Sequence, residues 1–407
     1  MVVHAYYPLG ETRVQREAEA LLADGWDVDV LCLRAPGERQ RETVDGVRVR
    51  RLPVRRHRGQ GMGVQLLEYL AFAAVALVQV SLRQVWRHYD AVQVHNPPDL
   101  LVWCALVPKV LGVPVVLDVH DLTPELFASR ATGRRARLLE RLVGWQERLA
   151  CRFADHVITV TRRWRRRLVA RGVPPEDVTV TMNVADPRHF RRDDAAPVST
   201  PASASADGAF HVVYHGTLTE RYGVDVLLDA AARLRDDLPG LRVSILGDGD
   251  ARPQLLAQAD RLGLGGTVTF SAGMLPVQDV VAILRTADLG VVPNRRNRFT
   301  DEILPTKLLE YASLGIPVVA SWTPALEADL DPGMVAFCTA DDADELASRI
   351  RALHDDGPHR TALSQAAGDF ARRHDWRAVG AAYTELIDAL SRRRRTTAPH
   401  SEGEVVR

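Results

Sequence analysis

Short valine-rich runs alternate with amphipathic segments along most of the chain, and the alternation breaks once. Apolar runs at Val2–His4, Val28–Leu33, Ala91–His95, Val113–His120, Val157–Val160 and Val178–Asn183 read as strands. Between the first two, Glu11–Asp24 carries Val14, Ala18, Leu21 and Leu22 on one face and closes at Gly25, which predicts a helix. Nearly continuous apolar strands separated by helices belong to a parallel sheet covered on both faces. From Arg191 to Gly208 the periodicity collapses into Ala, Ser, Pro and Asp, the composition of a flexible linker. The alternation restarts with strands at His211–His215, Arg242–Gly247, Thr267–Phe270, Leu289–Pro293 and Pro317–Ala320, and a helix at Gly223–Arg235. The predicted architecture is α/β: two doubly wound domains (1–190 and 209–374) joined by a linker (191–208), then a helix (375–390) and a disordered tail (391–407).

The longest apolar stretch, Val64–Leu82, leaves two readings open. Glu68 and Gln79 bracket only ten consecutive non-polar residues, too few for a membrane span, so a buried helix is one reading. Arg51, Arg55, Arg56 and Arg58 just upstream support the other, a helix lying in a membrane interface. At 407 residues the chain is long enough for two or three cores, and 46% hydrophobic with 26% charged residues is the balance of a soluble enzyme. Zero net charge argues against a general attraction to nucleic acid or to an anionic membrane. Cys32, Cys104, Cys151 and Cys338 are scattered without metal-ligand or redox spacing, and the opening residues MVVHAYYPLG are not those of a signal peptide, so a cytoplasmic protein is expected.

Chemistry concentrates in Glu302–Ser321. Pro305, then Leu308, Leu309 and Ala312, predict a helix start with an apolar side, ended by Gly315 before a strand. Such a start offers free backbone N–H groups to an anion near Thr306. Lys307 and Glu310, three apart, face one ligand from one side of the helix. A lysine suits phosphate oxygens, and a carboxylate accepts from a pair of sugar hydroxyls. Lys109 and Lys307 are the only lysines among 52 Lys plus Arg, so retention of an ammonium here either is chance or reflects a need that arginine does not meet. Ligands of open α/β sheets bind beyond the carboxyl ends of the strands. Those ends carry Pro8–Gly10, His95–Asp99, His120–Asp121, His215–Thr217, Gly247–Gly249, Ser271–Met274 and Pro293–Asn294. His120 and His95 each read either as site groups or as strand-end histidines bonded to backbone. Arg13 and Arg16 read either as anion contacts or as a solvated helix face. The GDGD at Gly247–Asp250 reads as a tight strand-to-helix turn and not as a metal site.

Glu302, seven residues and then Glu310, followed by GIPVVAS, resembles the donor-binding signature of the retaining glycosyltransferases of family 4. The resemblance covers roughly residues 1–390 and implies a GT-B fold: two facing Rossmann-like domains, an interdomain cleft, and a C-terminal helix crossing back to the first domain. It implies that Glu302 touches the transferred sugar and Glu310 the ribose of a nucleotide-diphosphate sugar, with His120 near the reacting sugar and phosphates. YHGTLTERYGVD, Tyr214–Asp225, resembles the family's phosphate loop and brings Gly216 and Thr217 to the donor, with Gly247 at the neighbouring turn. Many members carry an arginine and a lysine where this chain has Thr217 and Tyr222; Arg221 is the nearest remaining cation and joins Lys307 in neutralising the diphosphate without a metal. Gly10 stands in the loop that approaches the acceptor or phosphates. The family's front-face displacement needs no covalent carboxylate and no cofactor. The expected partners are a nucleotide sugar and a glycan, lipid-linked or small-molecule acceptor, at the inner face of the membrane or away from it. A nucleotide-sugar 2-epimerase and a non-catalytic subunit of a polysaccharide assembly complex are the alternatives.

Overall fold

The computed structural model describes residues 1–8, 11–54, 62–128, 134–191 and 209–397. The chain forms two compact units, Met1–Met182 with Arg377–Arg407, and Asn183–Trp376. The first holds eight strands: β1 (Val2–Tyr6), β2 (Asp29–Leu33), β3 (Arg41–Val44), β4 (Val47–Leu52), β5 (Val92–His95), β6 (Val115–Val119), β7 (His156–Thr159) and β8 (Val178–Val180). Their order is β3-β4-β2-β1-β5-β6-β7-β8, parallel throughout except for the β3–β4 pair. The second unit holds β9 (Phe210–His215), β10 (Leu241–Leu246), β11 (Val268–Phe270), β12 (Leu289–Val292), β13 (Val318–Ser321) and β14 (Ala336–Cys338), all parallel, in the order β11-β10-β9-β12-β13-β14. Each sheet reverses direction once, between β1 and β5 and between β9 and β12, and such switch points open crevices beyond the strand ends.

Burial follows the sequence pattern. β2, β5, β6, β7, β12 and β13 are buried at every residue, as strands covered on both faces must be. Three strands escaped the sequence reading. β3 and β4 are a hairpin turned at Asp45-Gly46, both with positive φ (50° and 86°), the geometry that Asp-Gly favours. Of the arginines expected to support an interfacial helix, Arg51 is instead buried between Glu38 (2.8 Å) and Glu42 (2.7 Å), and Arg55, Arg56 and Arg58 lie outside the described residues. β14 is only three residues long, too short to show a period. β1 runs on past the expected His4 to Tyr6.

The first unit ends sooner in the chain than residue 190. Beyond the edge strand β8, the segment from Asn183 belongs with the second unit, where Phe190 is buried and Arg285 Nη2 donates to the Arg191 carbonyl (3.3 Å). The expected linker, apart from Arg191, lies outside the described residues. The final helix, Trp376–Thr397, extends seven residues into the segment expected to be disordered; residues 398–407 lie outside the described set. It is part of the first unit because Tyr383, Ile387 and Leu390 share a core with Val14, Ala18, Leu21 and Val28. Trp26 Nε1 also donates to Asp388 (3.0 Å).

Candidate active site

The second unit gathers its chemistry at the β9/β12 switch. The helix Thr306–Leu314 lies over the end of β9, and the period that separates Lys307 from Glu310 and Tyr311 explains how. Tyr311 anchors it: its ring packs where a Cβ on Gly290 would meet it at 2.7 Å, and its hydroxyl accepts the His215 backbone N–H (3.1 Å). Lys307 and Glu310, on the same side, then meet the residues that close β9. Lys307 Nζ donates to the Tyr214 hydroxyl (2.7 Å), which itself donates to the Thr217 carbonyl (2.9 Å). The ammonium also lies 3.9 Å from the Tyr214 ring centre and 4.8 Å from that of Tyr222. Gly216 admits this packing, since a Cβ there would stand 3.1 Å from Nζ. Glu310 Oε2 lies 2.5 Å from His215 Nε2.

Burial pushes the Lys307 ammonium down from its ordinary 10.5 to about 7, with Glu310 opposing the shift. Three polar groups around the crevice hold open valences: the buried His215 Nδ1, Thr219 Oγ1 and buried Asn294 Oδ1 have no hydrogen-bond partner among the described residues. The helix start has Pro305 at its N-cap and no side-chain cap, so the first N–H groups remain available beside Lys307. Unpaired buried polar atoms around a buried lysine and an uncapped helix start are the features of an anion-binding crevice.

The surrounding turns are fixed by backbone contact. A Cβ on Gly247 (φ 146°) would lie 2.0 Å from the Gly216 carbonyl oxygen, so the ends of β9 and β10 touch main chain to main chain. Asp248, in the turn set aside as a metal site, accepts from the Gly249 N–H (2.9 Å). Asn297 Oδ1 accepts from Phe299 and Thr300 N–H (2.9 and 3.0 Å), and this loop delivers Glu302, which is buried. Thr217 and Thr306 are exposed at the rim. Arg221 is held less firmly than Lys307, its guanidinium 5.5 Å from the Phe299 ring centre. Tyr222 stands against Lys307.

In the first unit, Gly10 lies outside the described residues. His120 follows β6, its side chain one-tenth exposed, with its backbone N–H donating to Asn96 Oδ1 (2.9 Å). His95 is fully buried, its Nδ1 3.0 Å from Asp118 Oδ2 and its ring 6.0 Å from that of His120. Burial lowers the His95 imidazole to about 4, so it is neutral. Arg13 is not on a solvated face, and the anion it meets is the protein's own Asp118. It is buried and donates to both Asp118 oxygens (2.8 and 3.0 Å), which holds that carboxyl far below its usual range despite burial. Arg16 is likewise buried, not on a solvated face. His95, Asp118 and His120 have the spacing of a metal triad, but both Asp118 oxygens serve the guanidinium, whose charge opposes a second cation. Nearby, burial raises the Glu11 carboxyl, and His120 opposes the shift.

With this geometry in view, the comparisons decide the family. Residues 10–183 match the family described as "Glycosyl transferase 4-like domain", and residues 209–356 match "Glycosyl transferases group 1". The chain belongs to these glycosyltransferases. It is similar to a 2-deoxystreptamine N-acetyl-D-glucosaminyltransferase of Streptomyces fradiae, 29% identical over 89% of this chain and 87% of that protein. Among solved structures it resembles sucrose-phosphate synthase from Thermosynechococcus elongatus, with a TM-score of 0.72, 19% identity, and 93% and 92% of the two chains covered. It also resembles Anabaena HepE in complex with UDP and glucose, with a TM-score of 0.68, 18% identity, and 95% and 98% covered. The fold of this glycosyltransferase is accordingly GT-B, with two Rossmann-like domains.

His215 is the residue that the sequence reading passed over. It was noted as a strand end without a role, and pairing across 95 residues with Glu310 leaves no local signature.

The state of Lys307 has a consequence for pH. The ammonium is the form that attracts a diphosphate, so nucleotide affinity of the glycosyltransferase is expected to be full below pH 7. It should weaken as pH rises through 7, by up to about tenfold per unit, with proton uptake on binding. Calorimetry in buffers of different ionisation heat checks this; equal affinity on both sides of neutrality with no proton uptake would remove Lys307 from the contact.

Proposed function

We propose that this glycosyltransferase moves a hexose-type sugar, with retention and without a metal, from a nucleotide-diphosphate sugar to an acceptor hydroxyl. The observation that carries the reading is the buried Lys307 beside an uncapped helix start, with the open valences of His215 and Asn294 at the ends of β9 and β12. In this reading the diphosphate lies at the helix start near Thr306, over the backbone of Gly216, Thr217 and Gly247. Lys307, with Arg221 at the rim, offsets the charge that builds on the leaving phosphate. Glu310 keeps one oxygen on His215, which aims the carboxylate, and turns the other to the ribose hydroxyls. Glu302 binds the hexose, His120 belongs to the reacting sugar and phosphates, and Gly10 to the loop facing the acceptor. The departing phosphate oxygen takes the acceptor proton as the new glycosidic bond forms on the face that the phosphate leaves. HepE, whose complex holds UDP and glucose, supports a uridine donor. The Streptomyces relative, named for transfer to 2-deoxystreptamine, supports a small polyol acceptor beside the glycan and lipid-linked alternatives. Four free buried cysteines suit a reducing cytoplasm.

Thr217 and Tyr222 in place of the family's usual cations favour a second reading, a non-catalytic subunit. A thermal-shift panel of UDP, GDP, ADP and TDP sugars, with and without magnesium, separates the two. The expected result is a shift with one nucleotide, independent of magnesium and lost in Glu310→Ala. A folded protein that responds to none of them would support the non-catalytic reading, and a shift that requires magnesium would overturn metal independence.

A further inference from the structure

The apolar stretch expected either to be buried or to lie at a membrane forms the helix Met62–Arg87, and the buried reading does not hold. The stripe buried against the protein is thin: Glu68, Phe72, Ala76, Val80 and Gln84, about one residue per turn. Glu68 ties that stripe to the sheet through His4 Nε2 (3.0 Å). The opposite side is apolar and open to solvent, with Leu67, Leu70, Val78, Leu82, Val85 and Trp86 exposed, Leu67 by 68% and Trp86 by 82%. The helix is long and apolar enough to cross a membrane, but its anchored stripe holds it flat against its own domain.

The exposed apolar surface does not stop at this helix. The adjoining turn of Asp99–Val110 adds Trp103, Leu106 and Val110. The helix beyond it, Arg134–Phe153, adds Leu138, Leu142 and Trp145, which share one face by their spacing. Exposed Arg141, Arg148 and Arg152 run along one border of that stripe, and Arg141 and Arg148 line a groove with Arg171, Pro124 and one carboxylate, Glu140. Soluble domains rarely leave so broad an apolar face uncovered.

We propose that this face docks the first domain onto an anionic lipid bilayer. Three features select lipid over a second copy of the chain. The apolar side chains are spread over three neighbouring elements, a broad surface of the kind a bilayer can cover. Tryptophans, which favour the headgroup boundary, occur on all three elements. The border is cationic, complementary to phosphate headgroups, whereas a second copy would bring the same sign of charge. The inference goes beyond the sugar-transfer reading and does not depend on it.

Co-flotation with phosphatidylcholine vesicles, with and without phosphatidylglycerol, tests the proposal. The intact protein is expected to float with both and to prefer the anionic vesicles. Leu67→Glu/Val78→Glu should lose at least about tenfold in vesicle binding. Arg141→Gln/Arg148→Gln/Arg152→Gln should lose the anionic preference, by about a hundredfold at low salt, while keeping the weaker neutral binding. Circular dichroism and an unchanged nucleotide thermal shift confirm that the variants are folded; if the chain binds no nucleotide, the spectrum and melting midpoint suffice. Absence of the intact protein from the floated fraction overturns the proposal. So does a concentration-dependent dimer in solution that Leu67→Glu/Val78→Glu dissociates, which would make the face a subunit interface.

Discussion

Lys307→Met is expected to reduce sugar transfer by about 10²–10³-fold while leaving the fold as stable as before or more so. The size of the loss follows from removing a preorganised charge at a developing phosphate anion, roughly 3–4 kcal/mol of transition-state stabilisation. The opposite effect on stability follows from burial. The Lys307 ammonium is held down to about 7, so the folded chain gives up a proton that the unfolded chain retains between pH 7 and 10.5. Its stability contribution therefore rises with pH across that window, and at lower pH the fold carries a desolvated cation. Methionine fills a similar volume without that charge, against the same Tyr214 and Tyr222 rings. Turnover and urea midpoint measured together at pH about 6.5 check both halves. A midpoint that falls with the activity would make Lys307 a structural residue; full activity in a stable variant would place the diphosphate elsewhere.

Gly223→Ala should strongly destabilise the second unit. Gly223 sits at φ 63°, where a side chain costs about 1 kcal/mol or more, and its Cβ would lie 1.9 Å from the Pro293 carbonyl oxygen. That neighbour is backbone at the end of β12, so relief requires separating the loops after β9 and β12, at the switch where the crevice forms. Strain and overpacking together are expected to cost about 2–5 kcal/mol, a large part of the 5–15 kcal/mol typical of a domain. A urea titration followed by nucleotide binding measures both consequences. A variant with an unchanged midpoint would show that the two loops separate easily.

The legibility of the molecule divides by range. Strands fully covered by helices were readable because valine-rich runs have no other stable use, and the helix at Thr306–Leu314 was readable because Pro305 and Gly315 punctuate it. Where charge hid the period, as in Arg41–Val44 and Val47–Leu52, the strands were missed, although Asp45-Gly46 marked the turn between them. Lys307 and Glu310 stood out because one turn of helix joins them.

The sequence by itself determined the two α/β domains, the class of enzyme and the acidic and basic groups of Glu302–Ser321, since each depends on residues close along the chain. Tertiary structure alone decided their environment. His215 meets Glu310, Tyr214 and Tyr222 enclose Lys307, Asp118 captures Arg13, and Met62–Arg87 lies on the sheet with its apolar side outward. Pairings of this kind join residues tens of positions apart, and a buried and an exposed leucine are written with the same letter. Burial and partnership set a charge's strength and a surface's purpose, and both arise only when the sheets have formed.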